Sequence, residues 1–98
     1  MKEKITLIDF EKNLQKIKEA DSVNGKSYHS ICVDGNNIKF IRNNNSEYEL
    51  IAIHQLYDFY QNILDISDLK TTAAKKYISG RVQSPATAIL KKIMTNIS

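Results

Sequence analysis

Apolar residues near the start of the chain recur every three or four positions, which is the spacing of one buried helical face. Four residues follow it: Leu7, Phe10, Leu14 and Ile17. Thr6 stands just ahead of them and Asp9 follows three positions later, as in a variant of the capping box. The pattern predicts a helix over residues 7–20 with Thr6 as its N-cap.

The period then changes to that of short strands. Three segments are rich in strand-forming residues or alternate polar and apolar side chains: 28–33, 38–42 and 47–50. Asp34-Gly35 separates the first two segments and is typical of a hairpin turn. Asparagines at 43–45 tolerate the left-handed backbone of a second turn. We therefore expect a three-stranded antiparallel meander.

Helical spacing returns in the second half of the chain. An amphipathic helix is predicted over residues 52–64. Two of its tyrosines, Tyr57 and Tyr60, share a face with leucine and isoleucine. Because their neighbours on this face are aliphatic, we expect the two tyrosines to lie in the core rather than to stack on a ligand.

Two further helices are predicted near the C-terminus. The first should cover residues 69–78 or 71–78, with Gly80 just past its end, where glycine is favoured. Ser84-Pro85 predicts the start of the last helix, with Ser84 as its N-cap and the proline in the first turn.

These elements predict an α+β fold in the order α-β-β-β-α-α-α, with the meander packed against helices and a C-terminal helical pair. The length of 98 residues suits a single domain. We expect a scaffold over residues 1–69 and the helical pair over residues 70–98. The predicted core is Leu7, Phe10, Leu14, Ile17, Ile31, Val33, Ile38, Phe40, Leu50, Leu56, Tyr60, Ile63, Ile89 and Ile93.

Charge is divided unevenly along the chain. Residues 1–69 carry eight basic and eleven acidic side chains, a balance of −3, whereas residues 70–98 carry six basic side chains and no acidic one. The two balances, −3 and +6, give the net charge of +3. Such asymmetry indicates an electrostatic partner for one end of the molecule.

Composition argues against several other classes. A single cysteine, Cys32, cannot form an internal disulfide, and we expect it to be a small buried hydrophobe. No apolar run reaches the length of a membrane span, so no membrane partner is expected. The N-terminus lacks the hydrophobic region of a signal peptide, which predicts a cytoplasmic location.

Candidate catalytic groups are sparse. His29 and His54 are isolated and belong to no recognisable zinc motif. His54 and Asp58 lie four apart on a predicted helix, and we expect this pair to be a surface contact rather than an acid–base dyad. The three glycines are scattered singly, so no phosphate-binding glycine loop is present. We expect neither an enzyme nor a cofactor or metal site.

The basic C-terminal end gives the main functional prediction. Two short helices joined by a turn resemble a helix-turn-helix in outline, and cations beside them suit phosphate contacts. We predict a non-enzymatic nucleic-acid-binding protein that favours DNA over RNA. The predicted contact residues are Lys70, Lys75, Lys76, Arg81, Gln83, Ser84 and Thr87.

A protein-interaction or assembly role is the alternative. The last helix carries Ile93, Met94 and Ile97 near the end of the sequence, where an uncovered apolar patch would serve for docking or for a homo-oligomer. The charged faces would equally suit an acidic protein surface as partner.

Overall fold

The chain forms helices and strands that alternate as expected for an α+β protein. The computed structural model describes residues 4–21, 27–42, 47–63 and 66–97; the predicted turn at 43–45 lies outside them. In chain order the elements are α1 (Leu7–Lys16), β1 (Ala20–Asp21), β2 (Ser27–Asp34), β3 (Asn37–Arg42), β4 (Tyr48–Ala52), α2 (Ile53–Gln61), a 3-10 turn (Ile66–Asp68), α3 (Thr71–Ala74) and α4 (Gln83–Ile97).

The sheet has four antiparallel strands in the order β1-β2-β3-β4. The α+β class is confirmed, but the sheet has one strand more than predicted, because the three-stranded meander did not include β1. This short strand pairs Ala20 with Tyr28 and Asp21 with Ser27. It was missed because α1 ends at Lys16 rather than at residue 20, and two residues are too few to show a strand period.

The predicted cap of α1 is confirmed. The Thr6 hydroxyl accepts a hydrogen bond from the Asp9 amide at 3.3 Å, which satisfies one of the amides that a helix N-terminus leaves without a partner. At the other end, Ile17 leaves the helix with extended backbone, and the chain turns toward β1.

The hairpin between β2 and β3 is also confirmed. Asp34 pairs with Asn37, and Gly35 between them has a φ of +61°, a conformation that glycine adopts at low cost.

A bulge in β2 decides which side chains reach the core. The register with β3 shifts between His29 and Cys32, and Ser30 in this interval has a φ of +54°. Because the bulge adds a residue, Tyr28 and Ile31 are both buried although they are three positions apart. Regular alternation would have placed them on opposite faces.

Strand β4 buries the opposite face from the one predicted. Ile51 lies across from Ile38, and both are fully buried, whereas Leu50 is 50% exposed. The alternating pattern of β4 fits either face, and the pairing with β3 makes the choice. Leu7 is likewise exposed rather than buried, and Val33 is partly buried at the margin of the core.

The other predicted core residues are buried, and they belong to one cluster between the sheet and the helices. The predicted core left out ten members of this cluster: Ala20, Tyr28, Ile51, Ile53, Phe59, Ala74, Ile78, Ala86, Ala88 and Leu90. Several lie on α4, which contacts β1, α1, α2 and α3 and so needs apolar side chains around more of its circumference than an ordinary surface helix.

Aromatic contacts join α1 to α2. The Phe10 ring lies 5.2 Å from both Tyr57 and Tyr60. The Tyr57 hydroxyl donates to the Ile5 carbonyl at 2.8 Å, and the Ile5 amide donates to the Tyr60 hydroxyl at 3.0 Å. Tyr60 is buried in the core as expected, whereas Tyr57 is half-buried and packs against it.

The C-terminal helices differ from the prediction in length and in start. Helix α3 has only four residues, and Gly80 (φ +80°) lies in the turn that follows rather than directly at the end of the helix. The Ala86 amide donates to the Val82 carbonyl at 2.9 Å, and α4 starts at Gln83, two residues earlier than a Ser84 cap would place it. Ser84 is consequently inside the first turn and is not the N-cap. No helix of the described residues is long and apolar enough to cross a membrane.

Neighbouring residues of β4 provide a direct test of this packing. Ile51→Ala should lower the free energy of unfolding by about 2–5 kcal/mol, because it leaves a cavity in the core. Leu50→Ala is the matched control and should change it by about 0.5 kcal/mol or less. Denaturant unfolding measures both, and equal losses would contradict the assigned face.

Candidate functional site

Four of the seven predicted contact residues are exposed cations. Lys70 caps the start of α3, and Lys75, Lys76 and Arg81 follow its end; we call residues 70–81 the basic segment. Within the described part of the chain, none of the four pairs with a carboxylate. Their charge therefore remains available to an anionic partner.

Buried residues between these cations fix the basic segment to the core. Ala74 and Ile78 are fully buried, and the Ile78 amide donates to the Ala74 carbonyl at 2.8 Å. The Ala74 amide donates in turn to the Lys70 carbonyl at 3.1 Å. Because the apolar residues point inward, the lysines beside them are directed to solvent.

A cation from the sheet holds the end of the basic segment. The Arg42 guanidinium donates through Nη2 to the Arg81 carbonyl at 2.8 Å and to Glu49 Oε1 at 3.1 Å. Its Nε lies 2.9 Å from Glu49 Oε2, an ion-pair distance without the alignment of a hydrogen bond. Arg42 thus anchors the Arg81 backbone, whereas the Arg81 side chain remains exposed.

The three polar residues of the predicted site have partners inside the chain. Gln83 donates through Nε2 to the carbonyls of Ile78 and Gly80. The Ser84 hydroxyl lies 3.3 Å from that of Tyr28, and the Thr87 hydroxyl donates to the Gln83 carbonyl at 2.8 Å. All three predicted residues are half-buried, so in this structure they hold the basic segment and α4 in place.

The geometry departs from a helix-turn-helix. That motif joins two full helices by a turn of about three or four residues, whereas α3 is a single turn and residues 75–82 separate it from α4. The N-terminal half of α4 is buried on most sides, from Pro85 to Leu90. It therefore lacks the free face with which a recognition helix enters a DNA groove.

The remaining two lysines of the C-terminal third lie elsewhere. Lys91 is about 12 Å along the helix axis from Gln83, at a rise of about 1.5 Å per residue. It borders an open cleft of about 250 Å³ whose lining residues are Asp21, Ala88, Lys91, Lys92, Thr95 and Asn96. The carboxylate of Asp21 offsets part of the charge there, which sets this area apart from the basic segment.

Pattern reading missed a second exposed surface on the sheet. Lys39, Ile41, Tyr48 and Leu50 lie together on the side of β3 and β4 opposite the core, and we call these four residues the open face. Tyr48 is 51% exposed, and the Lys39 ammonium lies 4.6 Å from its ring centroid. Cys32 is across from Lys39 on β2 and is half-buried, not buried as expected.

A signal for the open face does exist in the sequence. Ile38 and Phe40 alternate with Lys39 and Ile41, so the two pairs must face opposite sides of β3. Choosing Ile38 and Phe40 for the core leaves the other pair outside. The sequence does not show how β4 pairs with β3, and without that register Tyr48 and Leu50 could not be assigned to the same face.

Neither the metal-ligating side chains among the described residues nor a comparison with known proteins indicates a further site. Among the described residues, no group of three or more His, Cys, Asp or Glu side chains is arranged to hold a metal ion. No family model matches the chain, and no curated protein or solved structure is significantly similar to it.

Removing the anchor of the basic segment should cost stability. Arg42→Ala leaves the half-buried Glu49 without its cation and the Arg81 carbonyl without its donor, so the free energy of unfolding should fall by about 1–2 kcal/mol. Arg42→Lys should restore it only in part, because an ammonium cannot reproduce the planar donor geometry. Lys12→Ala, an exposed control on α1, should have little effect. Equal unfolding midpoints for Arg42→Ala and the control would contradict the anchoring role.

Proposed function

We propose that the protein binds nucleic acid through the phosphate backbone, using the basic segment, without catalysing a reaction. The observation that carries this proposal is the exposure of four cations within residues 70–81, none paired with a carboxylate among the described residues. Polyanions with regularly spaced charges are the partners that such a cluster attracts.

The internal hydrogen bonds favour phosphate contacts over base reading. Gln83 and Ser84 are of the types that contact bases, but each already has a partner within the fold. Lysine and arginine side chains at the surface supply an attraction that does not depend on sequence. Binding should therefore be strongly dependent on salt and weakly dependent on sequence, with duplex DNA as a suitable first ligand.

Charge reversal in the basic segment provides the test. Lys76→Glu/Arg81→Glu should weaken binding to duplex DNA by about 10- to 100-fold at low salt. The salt slope of log K should fall from about −3.6 for four phosphate contacts to about −1.8 for two. Arg81→Glu leaves the backbone carbonyl that Arg42 binds unchanged. Fluorescence anisotropy with a labelled duplex at several salt concentrations measures both quantities.

A matched control separates a local effect from net charge. Lys12→Glu/Lys16→Glu on α1 changes the same number of charges at two exposed sites. It should retain most of the affinity. Equal losses in the two variants, or no binding of the parent protein even at about 50 mM salt, where phosphate contacts are strong, would refute the proposal.

A second candidate function is docking to another protein through α1. Ile8 is 67% exposed and Leu7 is 40% exposed, and together they form an apolar corner at the start of this helix. The C-terminal helix offers less, because Ile93 is fully buried and Met94 is half-buried.

Sedimentation velocity over a range of concentrations tests for self-association at this corner. If copies of the chain dock here, Ile8→Ser should remove the concentration dependence of the sedimentation coefficient, because it replaces an apolar contact by a hydroxyl. Leu50→Ser is the control, since Leu50 is similarly exposed but lies on the sheet. A loss confined to Leu50→Ser would place the contact on the sheet instead.

A further inference from the structure

We propose that the open face of the sheet binds an unpaired base, with Tyr48 as the stacking residue, so that the preferred ligand is a single strand. This inference rests on the proposed nucleic-acid binding and adds the class of ligand. It comes from a part of the molecule that the basic segment does not include.

The strand register brings the residues of the open face together. Ile41 lies directly across from Tyr48, and Lys39 lies across from Leu50. Side chains opposite each other on one face of an antiparallel pair are in contact range. Two aliphatic side chains thus border an aromatic ring that is about half exposed and is in contact with a cation.

Lys39 indicates the chemistry of the partner. Its ammonium lies over the Tyr48 ring, 4.6 Å from the ring centroid, so a base that stacks on that side of the ring displaces it. Protein–protein interface cores are depleted in lysine, because burial would remove its hydration without supplying an opposite charge. A nucleic-acid strand supplies both a base for the ring and a phosphate for the ammonium.

The open face and the basic segment lie at the same end of the sheet but on opposite sides of it. Arg42 is across from buried Tyr28, and Glu49 is across from buried Phe40, so both side chains point to the helix side, where Arg42 donates to the Arg81 carbonyl at 2.8 Å. Tyr48 points to the other side, on the edge strand β4. A strand with one base on Tyr48 therefore reaches the basic segment only by passing around this edge.

The geometry of stacking selects single strands. Within a duplex each base is covered by its neighbours, and its faces are not accessible to a side chain. An unpaired base exposes both faces, and stacking on an aromatic ring accepts any base because each has a π face. Single strands should accordingly gain affinity from Tyr48, whereas duplexes should use the basic segment alone.

A tryptophan placed at the proposed contact gives a direct readout. The protein contains no tryptophan, so Tyr48→Trp introduces one indole on the open face. Its fluorescence should be quenched by an oligothymidylate and not by the same strand annealed to oligoadenylate. Ile8→Trp is the control, because this exposed position lies on α1, in the helical layer, and should show no quenching with either ligand.

Affinities complete the experiment. Tyr48→Ala should weaken oligothymidylate binding by about 5- to 140-fold, the range expected for one stacked base, and should leave duplex binding unchanged. Tyr48→Phe should retain single-strand binding because it keeps the ring. Thermal melts of the two variants show whether they remain folded.

The outcomes separate this inference from the proposed function. If the parent protein binds single strand and duplex equally, and the Tyr48→Trp signal does not change, the inference is wrong and phosphate binding stands. If neither ligand binds, both proposals fail. If Tyr48→Ala instead abolishes self-association in sedimentation and leaves single-strand binding intact, the open face is an interface between copies of the chain.

Discussion

The burial of Tyr28 between the sheet and α4 is the contact on which the rest of the arrangement depends. Its ring meets Phe40 edge-on at 5.8 Å, and its hydroxyl lies 3.3 Å from that of Ser84. Tyr28 reaches this position because Ser30 adopts left-handed backbone and shifts the phase of β2. A buried tyrosine needs a hydrogen-bond partner for its hydroxyl. Here the partner is Ser84, and this contact holds the first turn of α4 against β2.

Helices pack on one side of the sheet, and this one-sided burial determines what remains outside. The core cluster takes Ile38, Phe40 and Ile51 from the sheet, so their neighbours in each strand must point the other way. Antiparallel sheets commonly leave one face to solvent, where polar residues are the usual occupants. Half-exposed Tyr48 and Leu50 depart from that pattern, which is why the open face calls for a functional explanation.

Local signals in the sequence were sufficient wherever structure is decided locally. Thr6 as N-cap, the turn at Gly35 and the helical stripe of α2 all follow from residues a few positions apart. The choice between Leu50 and Ile51 does not, because it depends on pairing with β3. The same holds for the candidate site: the cationic character of residues 70–81 can be read from the sequence, whereas the hydrogen bond between Ser84 and Tyr28 joins residues that are far apart in it.

Residues 43–69 carry five acidic side chains and no lysine or arginine, and this acidic stretch bears directly on the charge of the basic segment. Sequence alone allowed this stretch to neutralise the C-terminal cations within the fold. In the structure, Glu49 pairs with Arg42 of the sheet, and Arg42 in turn uses a further donor for the Arg81 carbonyl. The carboxylate therefore positions the basic segment through a backbone atom without cancelling the Arg81 side-chain charge. Because Arg42 and Glu49 hold the backbone at Arg81, the basic segment has less backbone entropy to lose when it binds an anion.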